Sequence, residues 1–235
     1  MPAAFPAPPS AVVLELFTSQ GCSSCPAADK LLSELSKQPN VIALAYHVDY
    51  WNELGWADPF SDPAWSKRQQ AYVPALPSKQ LYTPQWVVNG QRECIGSDKG
   101  CIEQAIQKAK PFAVSLLVET GTSNQQALTV DVAVRADNRK SFKSKNYQCV
   151  AVIIEDGLET AVKQGENSGK RLVNDGVVRR LGAVRLPEAP GPAKVHFELQ
   201  FEEAWKKEQA HLIVFLQAVR TKEVIAAVKI PLKLP

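Results

Sequence analysis

Cys22 and Cys25, within "LELFTSQGCSSCPAADKLLSELSK", are the residues whose type and spacing most directly offer chemistry. A C-x-x-C pair is a redox dithiol, half of a zinc site, a structural disulfide or an accident, and its flanks choose among these. The apolar run before the pair is strand-like and the amphipathic stretch behind it is helical, so Cys22 falls at or just before a first helical turn. Unpaired backbone N–H groups and the positive end of the helix dipole favour thiolate there. A thiolate attacks disulfides, and a second thiol at this spacing resolves the mixed disulfide. Cys22 is therefore expected to attack and Cys25 to resolve. Pro26 suits a first turn, where few N–H groups have intrahelical partners, and this supports the placement.

Other side chains compete for the same chemistry. A zinc site would need two further ligands from His47, Asp49, Cys94 and Cys101, none of which forms a second C-x-x-C or an H-x3–5-H. His47 and Asp49, two residues apart on an extended segment, point to one face and could shuttle a proton for Cys25, or with the dithiol hold zinc or copper. The plainer alternative is a semi-buried, hydrogen-bonded His47, with Tyr50, Trp51 and Trp56 covering the sheet edge. Cys94 and Cys101 could form a second disulfide if their α-carbons lie within about 7 Å. Otherwise Cys94 is a small buried group in a hairpin and Cys101 packs at a helix start. A second redox pair that relays electrons to Cys22 is the sharper idea. Cys149 reads as a core residue. "GENSGK" lacks the spacing of a phosphate loop and reads as a loop folding toward the first domain. Arg179 and Arg180 read as a solvated face, or as a contact for an anion such as a glutathione carboxylate.

The elements that must position these residues follow from periodicity. "AVVLELF" is a strand apolar on both faces. Pro26, Ala27, Leu31, Leu32 and Leu35 share one side of a helix, with Asp29, Lys30, Glu34 and Lys37 elsewhere, and "VIALAYHVDY" returns to strand character. This β-α-β unit makes its strands parallel. Residues 51–81 read as an insertion containing a short helix opened by Asp62 and Pro63. Asn89-Gly90 marks a hairpin turn, and "DKGCIEQAIQKAK" a closing helix. Beyond Pro111 the pattern alternates, with roughly six or seven strands in about 120 residues, as in a β-sandwich.

Four stretches together, "LFTSQGCSSCPAADKLL", "HVDYWNELGWADPF", "YTPQWVVNG" and "GENSGK", resemble a thioredoxin-like family catalogued in bacteria as secreted proteins with a domain of unknown function. The resemblance implies a thioredoxin fold with its dithiol at Cys22 and Cys25. It also implies that Pro84 matches the cis-proline facing that dithiol, so that the Thr83 backbone pairs with a substrate chain. Tyr82, Thr83, Pro84 and Gln85 are then the substrate-binding residues, with His47, Asp49 and Trp51 as neighbours of the site.

Bulk properties set the limits. Lys+Arg 27 against Asp+Glu 24 leave a net charge of +3, too small and dispersed to favour nucleic acid or an anionic membrane as partner. No apolar run approaches the roughly 20 residues of a membrane span. Residues 1–10 read as a disordered, Pro-rich tail without the marks of a secretory signal, which points to the cytosol. The expectation is an α/β thioredoxin-like domain over residues 11–110 followed by an all-β sandwich-like domain over 111–235. Its expected function is thiol-disulfide oxidoreduction without cofactor or metal, on a protein or small thiol or disulfide substrate, glutathione included. The alternative is a zinc- or copper-binding module using the dithiol with His47 or Asp49.

Overall fold

The structure, a computed structural model, describes residues 11–232 except 111, 113, 125, 137–141 and 189–191. The expected N-terminal tail lies outside the described residues. In chain order the elements are β1 (Val12–Thr18), α1 (Cys25–Leu35), β2 (Val41–His47), α2 (Pro63–Gln70), β3 (Gln85–Val88), β4 (Arg92–Ile95) and α3 (Lys99–Gln107). There follow β5 (Val114–Asn124), β6 (Ala127–Ala136), β7 (Tyr147–Glu155), β8 (Leu158–Ala161), β9 (Arg171–Asn174), β10 (Val177–Arg185), β11 (Ala193–Gln200), β12 (Ala210–Ala218) and β13 (Val224–Pro231).

This arrangement corrects the expected fold class. Strands take 44% of the described residues and helices only 18%, so an α/β thioredoxin-like domain followed by an all-β sandwich is not what forms. Eight strands share one mixed sheet in the order β13-β12-β7-β10-β2-β1-β3-β4, beside a three-stranded sheet β11-β6-β5 and the pair β8-β9. The physical reason lies in β10, whose "VVRRLG" looked like a solvated charged face. Its first residue, Val177, pairs in parallel with Ala45 of β2, so strands beyond residue 110 enter the sheet that β1 and β2 begin. Pairing between segments so far apart leaves no local periodicity to read. Gly176 permits the approach: it has φ +64°, and a Cβ there would lie 2.8 Å from the Ala43 carbonyl, a conformation and a space open only to glycine.

Contacts divide the chain into two compact units. One joins Val12–Ala109 to Asp156–Val178, and the other joins Lys110–Glu155 to the segment from Arg179 onward. In the first unit β1 and β2 are parallel and in register, with Thr18 opposite His47, and both strands are buried throughout. Val12, Leu14 and Leu16 pack against Ala28, Leu31, Leu32 and Leu35 of α1. On the opposite face of β1, Phe17 stacks on Tyr46, and the buried Glu15 is answered by Arg68 at 2.6 Å. The apolar content of β1 and α1 thus fixes the strand end and helix start between which the cysteines sit. In the second unit β11 alternates buried and exposed along its length, with Val195, Phe197 and Leu199 in a core shared with β6 and β12. Among the described residues, no helix is long and apolar enough to cross a membrane.

Candidate active site

Three residues separate the end of β1 from the first cysteine, and a tight turn closes over them: Cys22 N donates to Ser19 O at 3.2 Å, and Cys25 N to Cys22 O at 3.2 Å. Helix α1 then starts at Cys25 with Pro26 in its first turn, and no acidic residue occupies that turn. The N-cap residue Ser24 makes no side-chain cap bond, and its hydroxyl lies 3.2 Å from Cys22 Sγ instead. On the other side Cys22 Sγ sits 3.8 Å from the Thr83 carbonyl, and the Thr83–Pro84 peptide is cis. Both thiols are free, with exposures of only 2% for Cys22 and 0% for Cys25.

The two sulfurs are driven apart in acidity. Hydrogen bonding from Cys25, aided by Ser24 and Thr83 and opposed by burial, draws Cys22 down from 9.0 to about 5. Burial, the bond to Cys22 and the charge of Asp29 push Cys25 far up. One sulfur is therefore a thiolate at neutral pH and the other a thiol that donates to it.

Behind Cys25 lies a buried polar cluster. Asp29, one helical turn along the same face of α1, is 5% exposed. Neither of its carboxylate oxygens, nor Thr18 Oγ1 at the end of β1, has a hydrogen-bond partner among the described residues. Burial raises the Asp29 carboxyl from 3.8 to about 7, against the opposing pull of His47 and Thr18. His47 Nδ1 is 2.7 Å from Asp58 Oδ2, both side chains being fully buried. Burial alone would raise Asp58 too. His47 and the backbone N–H groups of Gln20 and Phe60 outweigh it and hold that carboxyl below its ordinary value.

The other residues singled out from sequence fall in several places. Asp49 is bonded by the Ser66 hydroxyl, so the acid beside His47 is Asp58 and not Asp49. Trp51 Nε1 donates to Thr83 Oγ1 at 2.8 Å, which steadies the segment facing Cys22. The Tyr82 backbone carbonyl and Gln85 Oε1 both accept from the Gln69 amide at 2.8 Å, the Tyr82 hydroxyl donates to Glu93, and Gln85 is 1% exposed, so both residues are held by bonds within the protein. Cys94 and Cys101 are joined in a disulfide with α-carbons 6.0 Å apart, which ties α3 to β4. Cys149 is a free, buried core thiol of β7. Arg179 and Arg180 are paired with Glu155 and Glu202. Among the described residues, no group of three His, Cys, Asp or Glu is arranged to hold a metal ion.

Sequence reasoning missed a second set, which arrives from residues 160–174. Asn167, 0% exposed, donates its amide to Gln20 O at 2.8 Å and to Cys22 O at 2.9 Å. Lys170 Nζ donates to Asn167 Oδ1 at 2.8 Å and so fixes which end of the amide faces the turn. Glu166 Oε2 accepts from Ser23 N at 2.8 Å. Gln20 is anchored in turn by Thr160 and Asn174 at 3.1 and 3.0 Å. The signal was the "GENSGK" stretch, but nothing local in it says that its asparagine holds the dithiol turn. Replacing Asn167 with Ala strands the buried Gln20 carbonyl and leaves the Cys22 carbonyl with the Cys25 N–H alone, and should cost about 2 kcal/mol of stability. A urea-denaturation midpoint unchanged from that of the parent protein would refute this.

With this geometry in view, relatives can be placed. No curated protein matches the chain. A structural-genomics protein of Agrobacterium tumefaciens is similar at 26% identity and TM-score 0.65, covering 93% of each chain. HBP35 of Porphyromonas gingivalis shares the fold at 14% identity and TM-score 0.69, covering 95% of this chain and 75% of its own. A family profile matches residues 13–217, which hold the dithiol turn, Thr83 and the 160–174 segment alike. This chain belongs to that family, described as "Protein of unknown function (DUF1223)".

Proposed function

We propose that this chain is a thiol-disulfide oxidoreductase that works through the Cys22-Cys25 dithiol. One observation carries the proposal: two free thiols at one helix start, with opposite shifts in acidity, beside the carbonyl of Thr83. In the reducing direction Cys22 thiolate attacks a substrate disulfide, forming a Cys22 mixed disulfide and releasing one substrate thiolate. Cys25 then gives its proton to Asp29 and attacks Cys22 Sγ, which forms the Cys22–Cys25 disulfide and releases the second thiolate. Oxidation of a substrate dithiol runs the same bonds in reverse. Thr83, through its backbone, aligns the incoming chain, and Pro84 and Trp51 hold Thr83.

The metal-binding alternative has less to rest on, because His47 is engaged by Asp58 and Asp49 by Ser66. The Cys94–Cys101 disulfide favours an oxidising compartment over the cytosol expected from sequence.

Changing Cys25 to Ser tests the reading, since the mixed disulfide then forms but cannot be resolved. Reduced variant mixed with a disulfide-bonded peptide should accumulate a Cys22 adduct by mass spectrometry, while the Cys22→Ser, Cys25→Ser double variant should not. No adduct, or stoichiometric zinc or copper held by both sulfurs in the parent protein, would remove the oxidoreductase reading.

A further inference from the structure

We infer that Glu166 is a specificity residue that turns the dithiol away from anionic disulfides and toward extended polypeptides with apolar residues beside the reacting cysteine. The inference rests on the oxidoreductase reading and names its substrate class.

A helix start attracts anions, because its N–H groups are unpaired and its dipole is positive there. In a C-x-x-C site this is where the carboxylates of a small anionic disulfide such as oxidised glutathione would settle. Here a carboxylate already stands in the turn that leads into the helix. The Ser23 N–H, between the two cysteines, donates to Glu166 Oε2 at 2.8 Å. This carboxylate is delivered by the same loop whose Asn167 grips the Cys22 carbonyl at 2.9 Å, so its position follows the dithiol. Lys170, a cation of the same loop, is committed to Asn167 Oδ1 at 2.8 Å. An anionic ligand at Cys22 would therefore meet a fixed negative charge in place of a free N–H.

The surroundings of Thr83 have another character. Tyr50 is 43% exposed, and its hydroxyl meets Gln69, the residue that holds the Tyr82 carbonyl. Leu81, also 43% exposed, stands two residues before Thr83. Exposed apolar groups linked to the Thr83 segment suit a chain that pairs with its backbone and carries apolar side chains next to the cysteine. Glu166 and these groups discriminate in the same sense, one by repulsion and the others by attraction.

The test compares rates of reaction of reduced protein with two small disulfides, cationic cystamine and oxidised glutathione, each normalised to free dithiothreitol. The normalised ratio should favour cystamine by about tenfold at low salt, and it should fall toward unity in E166Q and in 1 M salt. Glutamine keeps an acceptor for Ser23 N–H, so the change reads charge and not loop structure. Two disulfide-linked peptides that differ only in Leu or Asp beside the cysteine should differ about tenfold in favour of Leu. A normalised ratio near unity in the parent protein, a ratio unmoved by E166Q, or equal rates for the two peptides overturns the inference while leaving the oxidoreductase reading standing. Absence of reaction with all four probes overturns both.

Discussion

Alkylation of Cys22 in the reduced protein should stay on its plateau down to about pH 6 and fall to half near pH 5, several pH units below a free cysteine. The cause is specific. Hydrogen bonding from Cys25 is the largest stabiliser of the Cys22 thiolate, ahead of the Ser24 and Thr83 contributions and against burial. Cys25→Ser keeps a donor and should move the midpoint little, whereas Cys25→Ala removes it and should raise the midpoint by at least about one pH unit. The benefit is not a faster attack at neutral pH. Full ionisation at pH 7 gains about thirtyfold over a thiol of pKa 8.5, but with a Brønsted slope near 0.45 the weaker thiolate loses roughly as much. What remains is a better leaving group and a stabilised reduced state. A thioredoxin cysteine of pKa about 7 accompanies a potential near −270 mV. Two further pH units of thiolate stabilisation, at roughly 30 mV per 1.4 kcal/mol, place this pair near about −210 mV. The dithiol should therefore be a weaker reductant than a thioredoxin dithiol. A potential at or below about −270 mV in glutathione or dithiothreitol buffers, or an alkylation midpoint above pH 8, would reject this account.

Part of the site was legible because local rules dictate it. The change from strand to helical period located Cys22 and Cys25, and the Asn89-Gly90 pair supplies the two positive φ values, 46° and 69°, that close the β3-β4 turn. Asp62 caps α2 through Ala64 N at 2.7 Å, as its place before Pro63 suggests. The remainder was hidden because it depends on partners far away in sequence. Asn167 and Glu166 reach the dithiol across more than 140 residues, and β10 enters the large sheet on the strength of a pairing that no periodicity encodes. Asp29 was misjudged for a third reason. Helical spacing set it apart from the Leu31, Leu32 and Leu35 side, but packing in this unit covers more of α1 than its apolar stripe, and a carboxylate one turn from Cys25 is enclosed with the leucines. Its distance of four residues from a reactive cysteine was the available clue.

That enclosure makes Asp29 the residue whose neutralisation should change the most. Asp29→Asn removes the group that receives the Cys25 proton, while Cys22 and the helix start stay as they are. The resolving step should slow by about a hundredfold, the lower end of what a positioned acid-base group contributes. Mixed disulfide should then accumulate in a protein that still has both cysteines. Stability should move the other way. The folded state keeps the Asp29 proton up to about pH 7, whereas the unfolded chain releases it near 3.8. Between those values the folded state binds more protons, so this group lowers stability as pH rises, by about 4 kcal/mol in all. A buried, unpartnered amide has a cost of its own, but that cost does not depend on pH. The difference in stability between Asp29→Asn and the parent protein, both reduced, should therefore shift in favour of the variant by roughly 2.5 kcal/mol from pH 5 to pH 8. The Cys22 thiolate, Cys25, Thr18, His47 and Asp58 are present in both proteins, so the difference reads the titration of Asp29 together with its coupling to them. Parallel stability curves for the two proteins across that range would mean that Asp29 is ionised throughout, and resolution at the parental rate would mean that Cys25 loses its proton elsewhere. Either result would dismiss the buried acid as the partner of the resolving thiol. The expected pair, slower resolution in a more stable protein, would mark a strained group kept for chemistry at the expense of the fold.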